Sequence, residues 1–311
     1  MDRKESASSS TSTLPKGVLA AVLTPMDEYL TPNHRAFIAH CHRLLAAGCH
    51  GLSVFGTTGE GTSLSTAERL AALEALAESD VPGEALLPGT GSCALTDTVR
   101  LSRAALEAGA AGVLVLPPFY YKDVGDDGLF SFFAEVVERV GDDRLRLYLY
   151  HIPQMTGIDL GLPLISRLIE AYPGTIVGTK DSSGDRERIT TLCREFPEFS
   201  VLAGTETLLL DTLRSGGDGC ISATVNVTSR LARHVHDAHA SGKVDEAEAL
   251  QQRLTELRAS IEAYPVIPAL KRLMAGLTSD EGWRNLRPPL SELDEKRAKN
   301  LLAGLPLSEL L

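Results

Sequence analysis

The chain has 311 residues, 43% of them hydrophobic, enough for one large α/β domain or two of ordinary size. A net charge of −11 argues against non-specific nucleic-acid binding, and no apolar run is long enough to span a membrane. The five cysteines (Cys41, Cys49, Cys93, Cys193, Cys220) are scattered and contain no CxxC pair, which argues against a disulfide framework or structural metal and for reduced thiols in a cytoplasmic protein.

Residues 1–14 are rich in Ser and Thr, have no apolar signal-peptide core, and read as a disordered leader outside the fold. Gly17–Thr24 is an apolar run that reads as a first buried strand. His34–Ala47 carries Phe37, Ile38, Cys41, Leu44 and Leu45 at helical spacing, and Gly48 stops it. Gly51–Phe55 is a second strand. It runs into the glycine-rich turn Gly56-Thr57-Thr58-Gly59-Glu60-Gly61. Ser65-Thr66-Ala67-Glu68 then opens a helix with a capping-box pattern.

The same unit recurs. Expected strands three to eight are Glu84–Gly89, Gly112–Leu116, Leu145–Tyr150, Thr175–Lys180, Ser200–Ala203 and Gly219–Ser222. The helices between them are Thr96–Ala108, Leu129–Val140, Pro163–Tyr172, Asp185–Phe196 and one ending at Leu213. Strands alternating with helices at this spacing argue for a parallel sheet, and eight units match a closed (β/α)8 TIM barrel. An open doubly wound sheet usually carries a glycine fingerprint after its first strand; here Pro25-Met26-Asp27-Glu28 stands there. The barrel is expected over 15–230. Residues 231–311 form a C-terminal helical extension of the same domain, with helices at Val244–Ala263, Val266–Ala275 and Pro289–Leu302.

Active sites of such barrels lie at the C-terminal ends of the strands. That rule gathers Thr57, Thr58 and Gly59 after strand two, Tyr120 and Tyr121 after strand four, Tyr150 on strand five and Lys180 on strand six. Alternation places Tyr148 and Tyr150 inside, opposite Leu145, Leu147 and Leu149. It likewise puts Ile176, Gly178 and Lys180 on one face. Desolvation disfavours an ammonium, and a neutral amine in a pocket attacks carbonyl carbon. Glu60 reads as capping its loop and the following helix. His236 and His239, on one face of a helix that also carries His234, read as a solvated face rather than a metal site.

Gly56-Thr57-Thr58-Gly59-Glu60, Tyr150-His151-Ile152-Pro153 with Thr156-Gly157, and Gly178-Thr179-Lys180-Asp181-Ser182-Ser183-Gly184 resemble, in order and spacing, the hallmark motifs of the dihydrodipicolinate synthase / N-acetylneuraminate lyase family. The resemblance covers about Gly17 to Leu302. It implies a metal-free class I aldolase or lyase with no cofactor beyond a covalent imine on Lys180, acting on pyruvate or another 2-oxo acid. By it, Tyr150 shuttles the proton, Thr57 and Thr58 hold the carboxylate with nearby N–H groups, and Tyr120 from a neighbouring subunit completes a relay in a homo-oligomer, a tetramer or dimer. Ser182, Ser183, Glu206 and Ser222 are candidate hydroxyl-binding groups. His151 stands where the family usually has asparagine, and either contacts substrate or fixes the loop. Met155 replaces the arginine that grips aspartate semialdehyde, and a thioether forms no bidentate ion pair. Ala223 replaces a serine usual in sialic acid lyases. The expected substrate class is therefore a 2-oxo-3-deoxy sugar acid, cleaved or dehydrated. A non-catalytic 2-oxo acid binder is the alternative of another class.

Overall fold

The computed structural model describes residues 15–311; the expected leader, 1–14, lies outside them. Among the described residues, β1 (Gly17–Ala21), β2 (Gly51–Ser53), β3 (Val113–Val115), β4 (Leu147–His151), β5 (Ile176–Asp181), β6 (Ser200–Ala203) and β7 (Gly219–Ser222) form one parallel sheet in the order β2-β1-β7-β6-β5-β4-β3. The expected third strand is not regular. Gly83–Ala85 forms a turn of 3₁₀ helix instead, and Pro88 has no N–H to give to a ladder. The segment still closes the ring. Leu87 N donates to Leu52 O at 2.9 Å and Gly89 N to Val54 O at 2.8 Å, while Leu114 N donates to Pro88 O at 2.8 Å. An irregular eighth member thus lies between β2 and β3, and the architecture is the TIM barrel.

Two layers of side chains follow from the pleat. Leu19, Leu87, Leu114, Tyr148, Tyr150, Leu202 and Ile221 fill the barrel interior. Leu145, Leu147 and Leu149 point outward into the larger core shared with the surrounding helices, as the alternation in this strand requires. The alternation expected for β5 fails at one place. The register steps from Leu147 opposite Ile176 to Tyr148 opposite Gly178, so Val177 is an extra residue. This bulge turns Ile176 out to the helix layer and Val177 inward, which corrects the placement of Ile176 on the Lys180 face. Gly178 makes room for a ring: a Cβ there would lie 2.5 Å from Tyr148 Cε1.

The helix Thr66–Ala77 begins with the expected capping box, Ser65 accepting from Glu68 N and the Glu68 side chain accepting from Ser65 N. Helix Val225–Ala240, kinked at Thr228, runs through the expected junction at 230/231. Helices Val244–Glu262, Val266–Thr278 and Glu295–Ala303 follow. The last starts later than expected, where Asp294 supplies the cap by accepting from Arg297 N at 2.8 Å. These helices share a second core around Leu257, Leu270, Met274 and Trp283 that includes Leu23, just beyond β1. The extension therefore packs at the end of the barrel where β1 leaves it.

Candidate active site

The turn after β2 is built from conformations that few residues tolerate. Phe55 and Glu60 adopt left-handed φ of 59° and 55°. A Cβ at Gly59 would lie 2.6 Å from Val22 O, and one at Gly61 would lie 1.9 Å from Phe55 O. Thr24 Oγ1 donates to Gly59 O at 2.8 Å, so the turn lies against the exit of β1. This fixes Thr57 at the mouth, with the buried Thr58 beside it.

Tyr150 on β4 and Lys180 on β5 are direct register partners. Lys180 Nζ donates to Tyr150 Oη at 3.3 Å, and Tyr150 Oη lies 3.2 Å from Thr57 Oγ1. Lys180 is 4% exposed and Tyr150 3%. Lys180 Nζ sits 4.4 Å from the centre of the Tyr150 ring, and among the described residues no carboxylate pairs with it. The arrangement is an amine, a phenol and a hydroxyl linked in sequence, with Thr57 also lining a cavity, and imine formation and proton transfer call for groups of these kinds.

Other expected site residues are placed differently. Tyr120 is 76% exposed and stacks edge-on against Tyr121, with ring centroids 5.4 Å apart. The chain by itself does not bring Tyr120 to Lys180. His151 faces away from Tyr150, because successive strand residues alternate. Its Nδ1 accepts from Leu160 N at 3.3 Å, and its Nε2 lies 3.6 Å from Asp159 and 3.9 Å from Asp181. Burial pushes its pKa down, opposed by Asp181. Arg188 Nε donates to Asp181 at 2.6 Å. Of the two roles open to His151, this geometry supports holding the 151–160 loop. Ser182 packs so closely on Gly204 that a Cβ there would lie 2.0 Å from Ser182 Oγ.

Glu206 and Ser222 are fully buried and already partnered. Ser222 and Thr224 hydroxyls donate to Glu206, and Arg258 Nη1 donates to Glu206 at 2.5 Å and to Ser222 Oγ at 2.8 Å. Glu60 does not cap its turn. Its carboxylate pairs with Lys271 and accepts from Arg287 N at 3.0 Å, and both side chains of the Glu60–Lys271 pair are wholly buried. Burial pulls the Lys271 pKa down, and Glu60 opposes the shift. The sequence reading missed Arg258 and Lys271, although both sit in apolar helical stripes, Arg258 with Leu254, Leu257 and Ile261, Lys271 with Leu270 and Met274.

His236 meets not His239 but His50, with ring centroids 4.6 Å apart, and Asp237 stands beside them. His50 Nδ1 accepts from Val18 N at 3.0 Å, and Arg233 Nε holds both Asp237 oxygens at 2.8 Å. Burial, with His236 and Arg233 nearby, lowers the His50 pKa to about 4. The lone pairs a cation would need on His50 Nδ1 and Asp237 are thus already engaged, and no helix is long and apolar enough to cross a membrane among the described residues.

Residues 14–306 match the model of the dihydrodipicolinate synthetase family. An uncharacterized DapA-like lyase of Chloroflexus aurantiacus is 37% identical over 293 residues, spanning 93% of this chain and 96% of that one. The crystal structure of dihydrodipicolinate synthase from Agrobacterium tumefaciens superposes with a TM-score of 0.84 at 34% identity, over 92% of this chain and 97% of that one. YagE, an E. coli prophage protein of the dihydrodipicolinic acid synthase family crystallised with pyruvate, gives 0.85 at 29% identity over 95% and 99%. With the match running through every strand of the barrel and through Lys180, Tyr150 and Thr57, the chain belongs to the dihydrodipicolinate synthetase family.

Proposed function

We propose that the chain forms an imine between Lys180 and the keto carbon of pyruvate or a related 2-oxo acid, and uses it to break or make a bond at the adjacent carbons. The family is one of Schiff-base aldolases and lyases, and the chain is an enzyme of that class. The observation that carries the assignment is the line Lys180 Nζ, Tyr150 Oη, Thr57 Oγ1, with separations of 3.3 and 3.2 Å.

The amine adds to the carbonyl and water leaves, giving an iminium ion. Its nitrogen is the electron sink. When the C4 hydroxyl loses its proton to Tyr150, the C3–C4 bond breaks, the aldehyde departs and the electrons rest in an enamine. Proton return at C3 and hydrolysis release pyruvate and the free amine. Thr57, Thr58 and the N–H groups of the turn hold the carboxylate. A tyrosine from a second copy of the chain, Tyr120, completes the proton path in an oligomer.

The substrate must then be a 4-hydroxy-2-oxo acid. The 2-oxo-3-deoxy sugar acids meet this requirement, and loss of the C4 hydroxyl as water is open to the same intermediate. Met155, standing where an arginine would grip a carboxylated aldehyde, argues against aspartate semialdehyde.

The test is borohydride reduction with pyruvate, followed by peptide mass spectrometry. A pyruvyl adduct on Lys180, absent in Lys180→Ala, is expected. An adduct elsewhere, or none with any 2-oxo acid, overturns the assignment. Trapping without turnover of any aldehyde or hydroxy-oxo acid would mark a binding protein instead.

A further inference from the structure

A cavity of about 190 Å³ opens beside Thr57, and its walls are hydrocarbon: Leu116 beyond β3, Phe119 in the following loop, and Ile152 and Met155 beyond β4. Threonines complete the lining. Thr57 faces Tyr150, Thr156 Oγ1 is taken up by Ile152 O and Ile158 O, and Thr62 stands at the exposed lip. Among the described residues, no charged side chain lines it. The nearby cation, Lys122, donates to Phe119 O and, at 2.6 Å, to Thr156 O, so its charge rests on backbone carbonyls.

The position of this cavity gives it a role. Leu116 packs on the interior cluster that contains Tyr150 and Ile152. Tyr150 exchanges its proton with the oxygen on C4, and Thr57 touches both Tyr150 and the cavity. The substituent on C4 therefore extends from the Tyr150 hydroxyl into this space. A carboxylate there would lose water without gaining a charged partner, and the hydroxyls of a polyol would meet carbon. An apolar protein cavity of about 150 Å³ accepts a benzene ring.

We propose that the acceptor end of the site takes hydrocarbon: the substrate is a 4-hydroxy-2-oxo acid with an aromatic or branched aliphatic group on C4, and its cleavage releases an apolar aldehyde. This rests on the Schiff-base assignment above and, at the end of the substrate that the imine does not touch, replaces the expected sugar acid with an apolar one. The C3–C4 bond breaks, its electrons pass into the enamine, the hydroxyl proton goes to Tyr150, and the former C4 leaves as the aldehyde carbon.

The experiment measures kcat/KM in the synthetic direction with pyruvate and four acceptors: benzaldehyde, isobutyraldehyde, glyceraldehyde and succinic semialdehyde. Borohydride trapping of pyruvate on Lys180 is run in parallel. An apolar acceptor is expected to be favoured by about tenfold or more, the discrimination that one or two buried carbon groups supply. Met155 is 64% exposed, so Met155→Arg is tolerated by the fold. It is expected to shift the preference toward succinic semialdehyde. With trapping intact, glyceraldehyde or succinic semialdehyde as the best acceptor of the unaltered protein, or no turnover of either apolar aldehyde, overturns the proposal. Loss of trapping defeats the Schiff-base assignment itself, and the proposal with it.

Discussion

Two lysines are buried at this end of the barrel, and they differ in what faces them. Lys271, with no exposed side-chain surface, has the Glu60 carboxylate against it and the Asn285 carbonyl at 2.7 Å. Lys180, 4% exposed, has a phenol at 3.3 Å and, among the described residues, no carboxylate. A buried ammonium with a paired carboxylate is a fixed charge that ties segments together. A buried lysine with only a phenol for company is not tied into such a pair, which leaves its nitrogen open to other partners. The two lysines thus differ by neighbour rather than by depth, and the difference agrees with the imine role proposed for Lys180.

The comparison breaks or sharpens under substitution of the two lysines and their partners. Lys180→Met should reduce turnover to background and abolish imine trapping while leaving urea stability unchanged or raised, since no partner is orphaned. A loss of stability as large as that for Lys271 would erase the distinction. Tyr150→Phe should lower kcat by about 10²–10⁴, the usual contribution of a positioned acid–base group, while the pyruvate adduct still forms. Full activity in this variant would remove the phenol from the mechanism. Lys271→Met leaves Glu60 buried and unpaired, and should cost about 3–5 kcal/mol in urea unfolding, partly recovered in the double variant with Glu60→Gln. No recovery would mean that packing rather than charge is at stake.

The smallest effect concerns pH. The Arg287 guanidinium at Glu68, together with the Ser65 cap, lowers that carboxyl to about 2 from its usual 4.5. A depressed acid contributes stability that is complete above pH 4.5 and is lost as pH falls through about 2. Glu68→Gln should therefore flatten the acid limb of the stability curve in that window. An unchanged limb would show that the Glu68–Arg287 contact does not survive in solution.

How much of this was legible in the sequence depended on the range of the interactions. The leucines of β4 and the tyrosines opposite them obey a period of two, which a strand imposes by itself. The bulge at Val177 does not, because it answers to Tyr148 on the neighbouring strand. The closing segment at Pro88 reads as a strand by composition, but the missing N–H leaves it irregular. Lys180, Tyr150 and Thr57 could be gathered because barrel geometry places strand ends together. Glu60 and Glu206 could not be read correctly, because their partners, Lys271 and Arg258, lie 211 and 52 residues away. The signal for both partners was a cation inside an otherwise apolar helical stripe. Tyr120 could be placed after its strand but not at the amine, because within one chain it stands 76% exposed against Tyr121.

The Glu60–Lys271 contact also orders events during synthesis. The ribosome makes the catalytic turn early, and its carboxylate must wait 211 residues for the ammonium that neutralises it. Until helix Val266–Thr278 has emerged and docked, the strands are all present but the turn that carries Thr57 keeps its charge in water. The nascent barrel thus has all its strands before this turn is neutralised, and the neutralising ammonium arrives with a helix that lies beyond the last strand.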